Sequence, residues 1–235
     1  MLQWLSEISW VAVGQIIMID LLLGGDNAVV IALACRNLPP AQRTKGIILG
    51  TAGAIVLRVI LVLFAVALLK IPFLKLVGGL LLIWIGIKLL MPEDEGEDGV
   101  ASPDHLWGAV RTVIVADLVM SVDNVIAIAG AAEQAAGHHQ TGLVIFGLLV
   151  SIPIIVFGSQ IVLKLMDRFP VVILLGAGLL GWIAGSLILG DPAVQQWTGP
   201  LPASAAYVAG GIGAAFVMLL GRWLAARKSH AQLGA

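Results

Sequence analysis

Long apolar runs, broken at a few points by prolines or charge, set the first expectation for this chain. A bilayer core of ~30 Å takes about 20 apolar residues in helix. On that measure the pattern predicts about seven spans, near Ile8–Ala34, Gly46–Leu69, Leu74–Met91, Trp107–Ala132, Leu143–Leu163, Val171–Leu189 and Ala203–Leu224. Between them lie Arg36-Asn37-Leu38-Pro39-Pro40, Lys70-Ile71-Pro72, the acidic run from Glu93 to Asp98, and Gly190-Asp191-Pro192. No basic residue precedes the first run, Arg36 being the earliest, and the run is longer than the ~7–15 residues of a signal-peptide core. It is expected to stay as a membrane helix. The fold class is an all-α membrane protein.

The spans repeat. Shifting the chain by 97 residues lays Trp10 on Trp107, Asp20 on Asp117, Leu21 on Leu118, and Asp26-Asn27 on Asp123-Asn124. Gly50 falls on Gly147, and after a one-residue slip Pro72, Gly78 and Trp84 fall on Pro170, Gly176 and Trp182. Apolar matches come cheaply in such a composition, but two superposed Asp-x5-Asp-Asn strings do not. With three helices per copy, the second copy enters the membrane from the opposite side, giving inverted repeats. The expected layout is a first repeat over 1–91, an acidic loop over 92–106, a second repeat over 107–190, and a seventh helix with a basic tail over 191–235.

Composition and charge sharpen this. The chain is 60% hydrophobic and 11% charged, where a soluble domain carries roughly 25% charged residues; its mean hydropathy is +1.04. The lipid bilayer is the expected solvent, and a multi-pass place in the cytoplasmic membrane of a prokaryote the expected location. A net charge of −1 without a basic patch leaves nucleic acid off the list of partners, and Cys35, the single cysteine, excludes an internal disulfide. With the N-terminus outside, Arg36, Arg43, Lys45, Lys88, Arg111, Lys164, Arg168, Arg222, Arg227 and Lys228 all fall on the cytoplasmic side. Only Lys70 and Lys75 fall outside, so the positive-inside rule selects N-out, C-in.

Five ionisable residues lie deep in the predicted spans: Asp20, Asp26, Arg58, Asp117 and Asp123. An Asp or Arg at a helix centre costs about 2.5–3.5 kcal/mol on insertion scales, so such residues mark a pathway or a pair. A structural salt bridge is the bland alternative, but one arginine cannot neutralise four aspartates. At ~100° per residue, Asp20 and Asn27 stand about 20° apart, and Asp26 about 120° away. Convergence of all three requires local unwinding, for which Gly24-Gly25 is suitably placed. In the second copy Ser121-Val122 replaces the glycines, and Ser121 offers a hydroxyl on the Asp117 face instead. Carboxylates with the amides of Asn27 and Asn124 form an oxygen set suited to Mn²⁺, Mg²⁺ or Ca²⁺ as substrate. No cofactor is called for, and no phosphate-binding glycine loop appears.

Other features carry less. Met18 and Met120 lie near the aspartates, with packing the ordinary role of such residues. His138-His139 and Glu133 fall toward the outer side, where solvation is the default. Gly46-x3-Gly50 and Gly181-x3-Gly185 are spacings that let helices approach closely.

The strings Asp20-Leu-Leu-Leu-Gly-Gly-Asp26-Asn27 and Asp117-Leu-Val-Met-Ser-Val-Asp123-Asn124 resemble the TerC family of membrane proteins, closest to its short, YjbE-like members. The resemblance extends through Arg36-Asn-Leu-Pro39, Gly78-Gly-Leu-Leu-Leu-Ile-Trp-Ile-Gly86 and the acidic loop. It implies Mn²⁺ efflux in the manner of the LysE-type exporter group, with the aspartates at 20, 26, 117 and 123 as the acidic motif residues. Two rivals of other classes remain. An intramembrane aspartyl protease also sets aspartates on two membrane helices, but here they come as four, each pair followed by Asn, and no Pro-Ala-Leu string occurs. A LysE-like exporter of another small solute shares the scaffold; four acids against one base disfavour an anion. Oligomeric state is not written in the sequence.

Overall fold

A computed structural model describes residues 26–64, 71–91, 103–134, 140–199, 201–202 and 204–233. The described residues are helical or connecting, with no strand. In chain order the helices are α1 (described over Asp26–Cys35), α2 (Pro40–Leu63), α3 (Leu74–Leu90), α4 (Pro103–Gln134), α5 (Gln140–Arg168), α6 (Val171–Leu189), α7 (Pro192–Thr198) and α8 (Ser204–Leu233). Helix is the form in which an apolar run meets its own backbone hydrogen bonds without water. Pro40, Pro103 and Pro192 open their helices, where a missing N–H is harmless. α6 has the predicted bounds. The short α7 falls within a stretch read as connection, and α8 runs on through Arg227 and Lys228 rather than stopping near Leu224. Among the described residues, four helices are long and apolar enough to cross a membrane, over Pro40–Leu61, His105–Val122, Val171–Leu189 and Ser204–Lys228.

Glycines fix the packing. A methyl group on Gly50 would lie 3.0 Å from Val113 Cγ1, and one on Gly53 2.5 Å from Ile114 Cδ1, so α2 presses its small residues against α4. Gly46 abuts Cys35, Leu38 and Leu106. Contacts from Gly46–Leu106 through Gly50–Val113 to Gly53–Ile114 advance together, so α2 and α4 run parallel. α3 and α6 are antiparallel: Gly79 faces Ala184 and Ile188, while Gly86 faces Ala177 and Leu180. α6 also crosses α8 backbone to backbone, Gly181 on Gly213 and Gly185 on Ala209, the close approach its small-x3-small spacing predicts. Side chains that point outward are large and apolar, among them Val56, Val77, Trp84, Phe157, Leu175, Ile212 and Leu219. Surface of that kind belongs against lipid.

These contacts also sort the helix ends. Cys35, Leu38 and Gly46 meet Leu106 at one end, where Leu90 also meets Gly221. There Arg43 donates to Asp167 Oδ2 at 2.8 Å and to the carbonyls of Leu38 and Arg36, tying the α1–α2 turn to the end of α5. At the other end Asp191 receives the backbone N–H groups of Lys75 and Leu76, both at 3.1 Å, and of Ala193 at 2.8 Å. One buried carboxylate thus caps both α3 and α7.

Candidate functional site

α2 and α4 place the charge. Seven residues separate Thr51 from Arg58, so both lie on the buried face of α2 with Ile47, Ala54, Ile55 and Leu61. The glycine contacts draw this face onto α4 and bring Arg58, 2% exposed, to Asp117, 5% exposed. Arg58 Nη2 donates to Asp117 Oδ1 at 2.5 Å, and Arg58 Nε donates to Ser121 Oγ at 3.1 Å. Ser121, one turn on from Asp117, donates in turn to Asp117 Oδ2 at 2.9 Å. Both carboxylate oxygens and two faces of the guanidinium are therefore engaged in one closed triad. A buried ion pair holds only when such extra hydrogen bonds satisfy the remaining valences.

α1 brings a different set. Asn27 is buried, and neither its amide oxygen nor its nitrogen has a hydrogen-bond partner among the described residues; the same holds for Asp26 Oδ1. Asp26 lies within electrostatic reach of Arg58, which attracts it, and of Asp117, which repels it. A buried polar atom left unpaired costs about 1–3 kcal/mol. Unpaired atoms on two successive buried residues, the first within reach of an ion pair, define a place that takes water or a ligand.

Each expected residue can now be located. Arg58, Asp117 and Ser121 meet between α2 and α4, with Asp26 of α1 in electrostatic reach of the pair and Asn27 buried next to it in the chain. Asp20 lies outside the described residues, as do Gly24-Gly25, Met18 and His138-His139. Asp123, Asn124 and Glu133 are described only as positions on α4. That helix is unbroken from Pro103 to Gln134, so there is no unwinding at Ser121-Val122. Asp117, Ser121 and Asn124 consequently share one face by position, and Asp123 stands some 120° around. Met120 belongs to the hydrophobic core. Among the described residues no three His, Cys, Asp or Glu side chains converge as a metal cluster. Thr51 and Asp191 were not foreseen as notable. Thr51 had a sequence signal, a lone hydroxyl seven residues before the arginine; the partners of Asp191 sit 115 and 116 positions away.

The comparisons agree with the architecture. The pattern of the integral membrane protein TerC family matches residues 5–229. The chain is 47% identical over 176 residues to the uncharacterized membrane protein YjbE of Bacillus subtilis (strain 168), covering 75% of this chain and 78% of that protein. It is 26% identical over 204 residues to the UPF0053 inner membrane protein YgdQ of Escherichia coli (strain K12), covering 79% and 84%. No solved structure matches. With that pattern spanning nearly its whole length, the chain belongs to the TerC family of integral membrane proteins.

Proposed function

We propose that the chain is a divalent-cation transporter that moves Mn²⁺ outward across the cytoplasmic membrane through a site shared by its two Asp-Asn strings. The observation that carries this reading is the set of unpartnered buried atoms, Asp26 Oδ1 within electrostatic reach of the Arg58–Asp117 pair and both polar atoms of Asn27, the next residue on α1. All the acceptors on hand are oxygens, the set a hard dication prefers. Manganese stands first among the candidates on the family resemblance. Asp117 can serve a cation only by releasing Arg58, so arrival of a dication exchanges one counter-charge for another and frees the guanidinium to move. Proton exchange is the coupling this chemistry favours, since buried carboxylates take up a proton when they lose their cation.

Seven spans in two inverted repeats, N-out and C-in, form the scaffold of this proposal. Its support is the pairing of α3 with α6. Gly79 corresponds to Ala177 and Gly86 to Ala184, so the contacts Gly79–Ala184 and Ala177–Gly86 are one contact with its partners exchanged. A two-fold axis generates that pattern. The helix ends also sort so that the basic residues gather at the end bearing Arg43 and Leu90, as a cytoplasmic face requires. Against an aspartyl protease, both oxygens of Asp117 are already held by Arg58 and Ser121, whereas a catalytic dyad needs two carboxylates sharing a proton.

The test is cation uptake into proteoliposomes, comparing Mn²⁺ with Mg²⁺, Ca²⁺ and Zn²⁺. Mn²⁺ movement above that of empty vesicles, lost in Asp26→Asn, is the expected result. Liposomes that move none of the four cations would refute it.

A further inference from the structure

Helical hydroxyls among the described residues find an acceptor, with one exception. Thr112, Ser159 and Thr198 each donate to the carbonyl four residues back, at 2.8, 2.8 and 3.1 Å. That back-bond is the usual resort of a Ser or Thr inside a helix. Ser121 gives it up for Asp117. Thr51, 1% exposed, gives it up for nothing: its Oγ1 is buried and has no hydrogen-bond partner among the described residues.

The heights of the unpartnered atoms along their helices form an order. α1 and α2 turn back on each other where Cys35 meets Gly46. Measured from that contact at 1.5 Å per residue, Thr51 stands about 7.5 Å up α2 and Arg58 about 18 Å. On α1, Asn27 stands about 12 Å and Asp26 about 13.5 Å from the same contact. The unpartnered atoms therefore fall in a rising series, Thr51, Asn27, Asp26, which ends at Arg58 and Asp117. The series begins on the side of the molecule where the basic residues collect.

We infer that Thr51 is a station on the cation's path between the basic end and the Arg58–Asp117 pair, where its hydroxyl oxygen receives a partly hydrated divalent cation. This rests on the transport reading above. A hydroxyl at that point replaces one water of the cation's shell before the carboxylates are reached, and it adds no charge that would hold the ion there. Valine has nearly the same shape as threonine without the oxygen, so Thr51→Val removes the station and leaves the packing.

The experiment uses the full chain in proteoliposomes with Mn²⁺ as the probe. Initial rates are taken across a range of Mn²⁺ concentrations for wild type, Thr51→Val and Thr51→Ser, beside thermal melts of each. The expected result is a fall in kcat/KM of about tenfold for Thr51→Val, the loss of one oxygen partner. Thr51→Ser should stay within about twofold, and Thr51→Val should melt no lower than wild type because an unpaired buried hydroxyl has gone. Wild-type kinetics in Thr51→Val would overturn the station and leave the transport reading standing. Lowered melting in both variants, with rates falling in proportion to folded protein, would assign Thr51 to packing and also overturn it. A wild-type protein that moves none of the four cations would remove both proposals together.

Discussion

Breaking the Arg58–Asp117 pair tests the geometry of the site without reference to transport. Arg58→Met keeps much of the side-chain volume but leaves Asp117 buried with Ser121 as its one described partner. Asp117→Leu takes from the guanidinium its buried carboxylate partner. Stranding one member of a buried pair costs about 3–5 kcal/mol, whereas replacing both members with apolar groups is often close to neutral. Interhelical hydrogen bonds in membrane proteins average only ~0.6 kcal/mol in double-mutant cycles. The charge, not the hydrogen bonds, is what makes the expected figure large. Each single change should therefore lower stability by about 3 kcal/mol or more, and the double change by much less than the sum, a coupling of about 3 kcal/mol. Equilibrium unfolding in mixed micelles, followed by tryptophan fluorescence, measures all four species. Losses below about 1 kcal/mol for each single change, or losses that simply add, would show that the triad does not hold α2 to α4.

Asp26→Asn and Asp123→Asn should each abolish Mn²⁺ transport in proteoliposomes; near-normal transport with half the bound metal in either would show two independent sites. Single cysteines at Gln42 and Gln140, in a Cys35→Ala background, should label from opposite sides of the membrane, and labelling from one side would remove the inverted repeats. Gly185→Ala should destabilise the fold, since its methyl group meets the backbone of Ala209, while Gly211→Ala, with 3.9 Å to Trp182, should be tolerated; comparable melts for the two would refute the α6–α8 crossing. Burial pushes the Asp191 carboxyl up, but the backbone N–H groups of Leu76, Ala193, Val194 and Phe73 outweigh it and hold the carboxyl below its usual range. A depressed folded-state pKa gives stability that is present above the unfolded value and lost as pH falls through the folded one. Asp191→Asn should therefore reduce stability at neutral pH by about 1 kcal/mol and flatten the acid limb of the stability profile below pH ~4. An unchanged acid limb would show that the two helix caps contribute nothing.

Much of this architecture was legible because apolar length and helical period are local properties. α6 occupies its expected nineteen residues, Val171–Leu189, since Pro170 before it and Gly190-Asp191-Pro192 after it are local stop signals. The pairing of Arg58 with Asp117 was not legible in that way. Four aspartates stood as candidates, and the choice among them depends on α2 and α4 running parallel with Gly50 and Gly53 between them. Asp191 was hidden for the same reason: a proline follows it, so it reads as a turn residue, yet its partners begin a helix more than a hundred residues earlier. Thr51 shows a third limit. A threonine in an apolar helix ordinarily back-bonds to its own turn, and only coordinates reveal that this one does not.

On the proposed repeat, the two copies agree where packing decides and differ where charge decides. Gly79 and Gly86 of α3 answer Ala177 and Ala184 of α6, small residue for small residue, because the two helices meet closely at one antiparallel seam. At the aspartates the correspondence breaks. Arg58 has Ile155 as its equivalent, a residue 6% exposed in the core, and Gly24-Gly25 stands against Ser121-Val122. Perfect inverted repeats would make the inward-facing and outward-facing arrangements equal in energy, so neither would be favoured. On the inverted-repeat proposal, one arginine bonded to Asp117 from α2 removes that equality. Under the transport reading, the bias it supplies is the free energy a dication must offset by binding, which couples occupancy to the helix movement. Arg58→Gln should thus change the concentration at which Mn²⁺ half-saturates transport, and an identical saturation curve would show that the asymmetry serves packing alone.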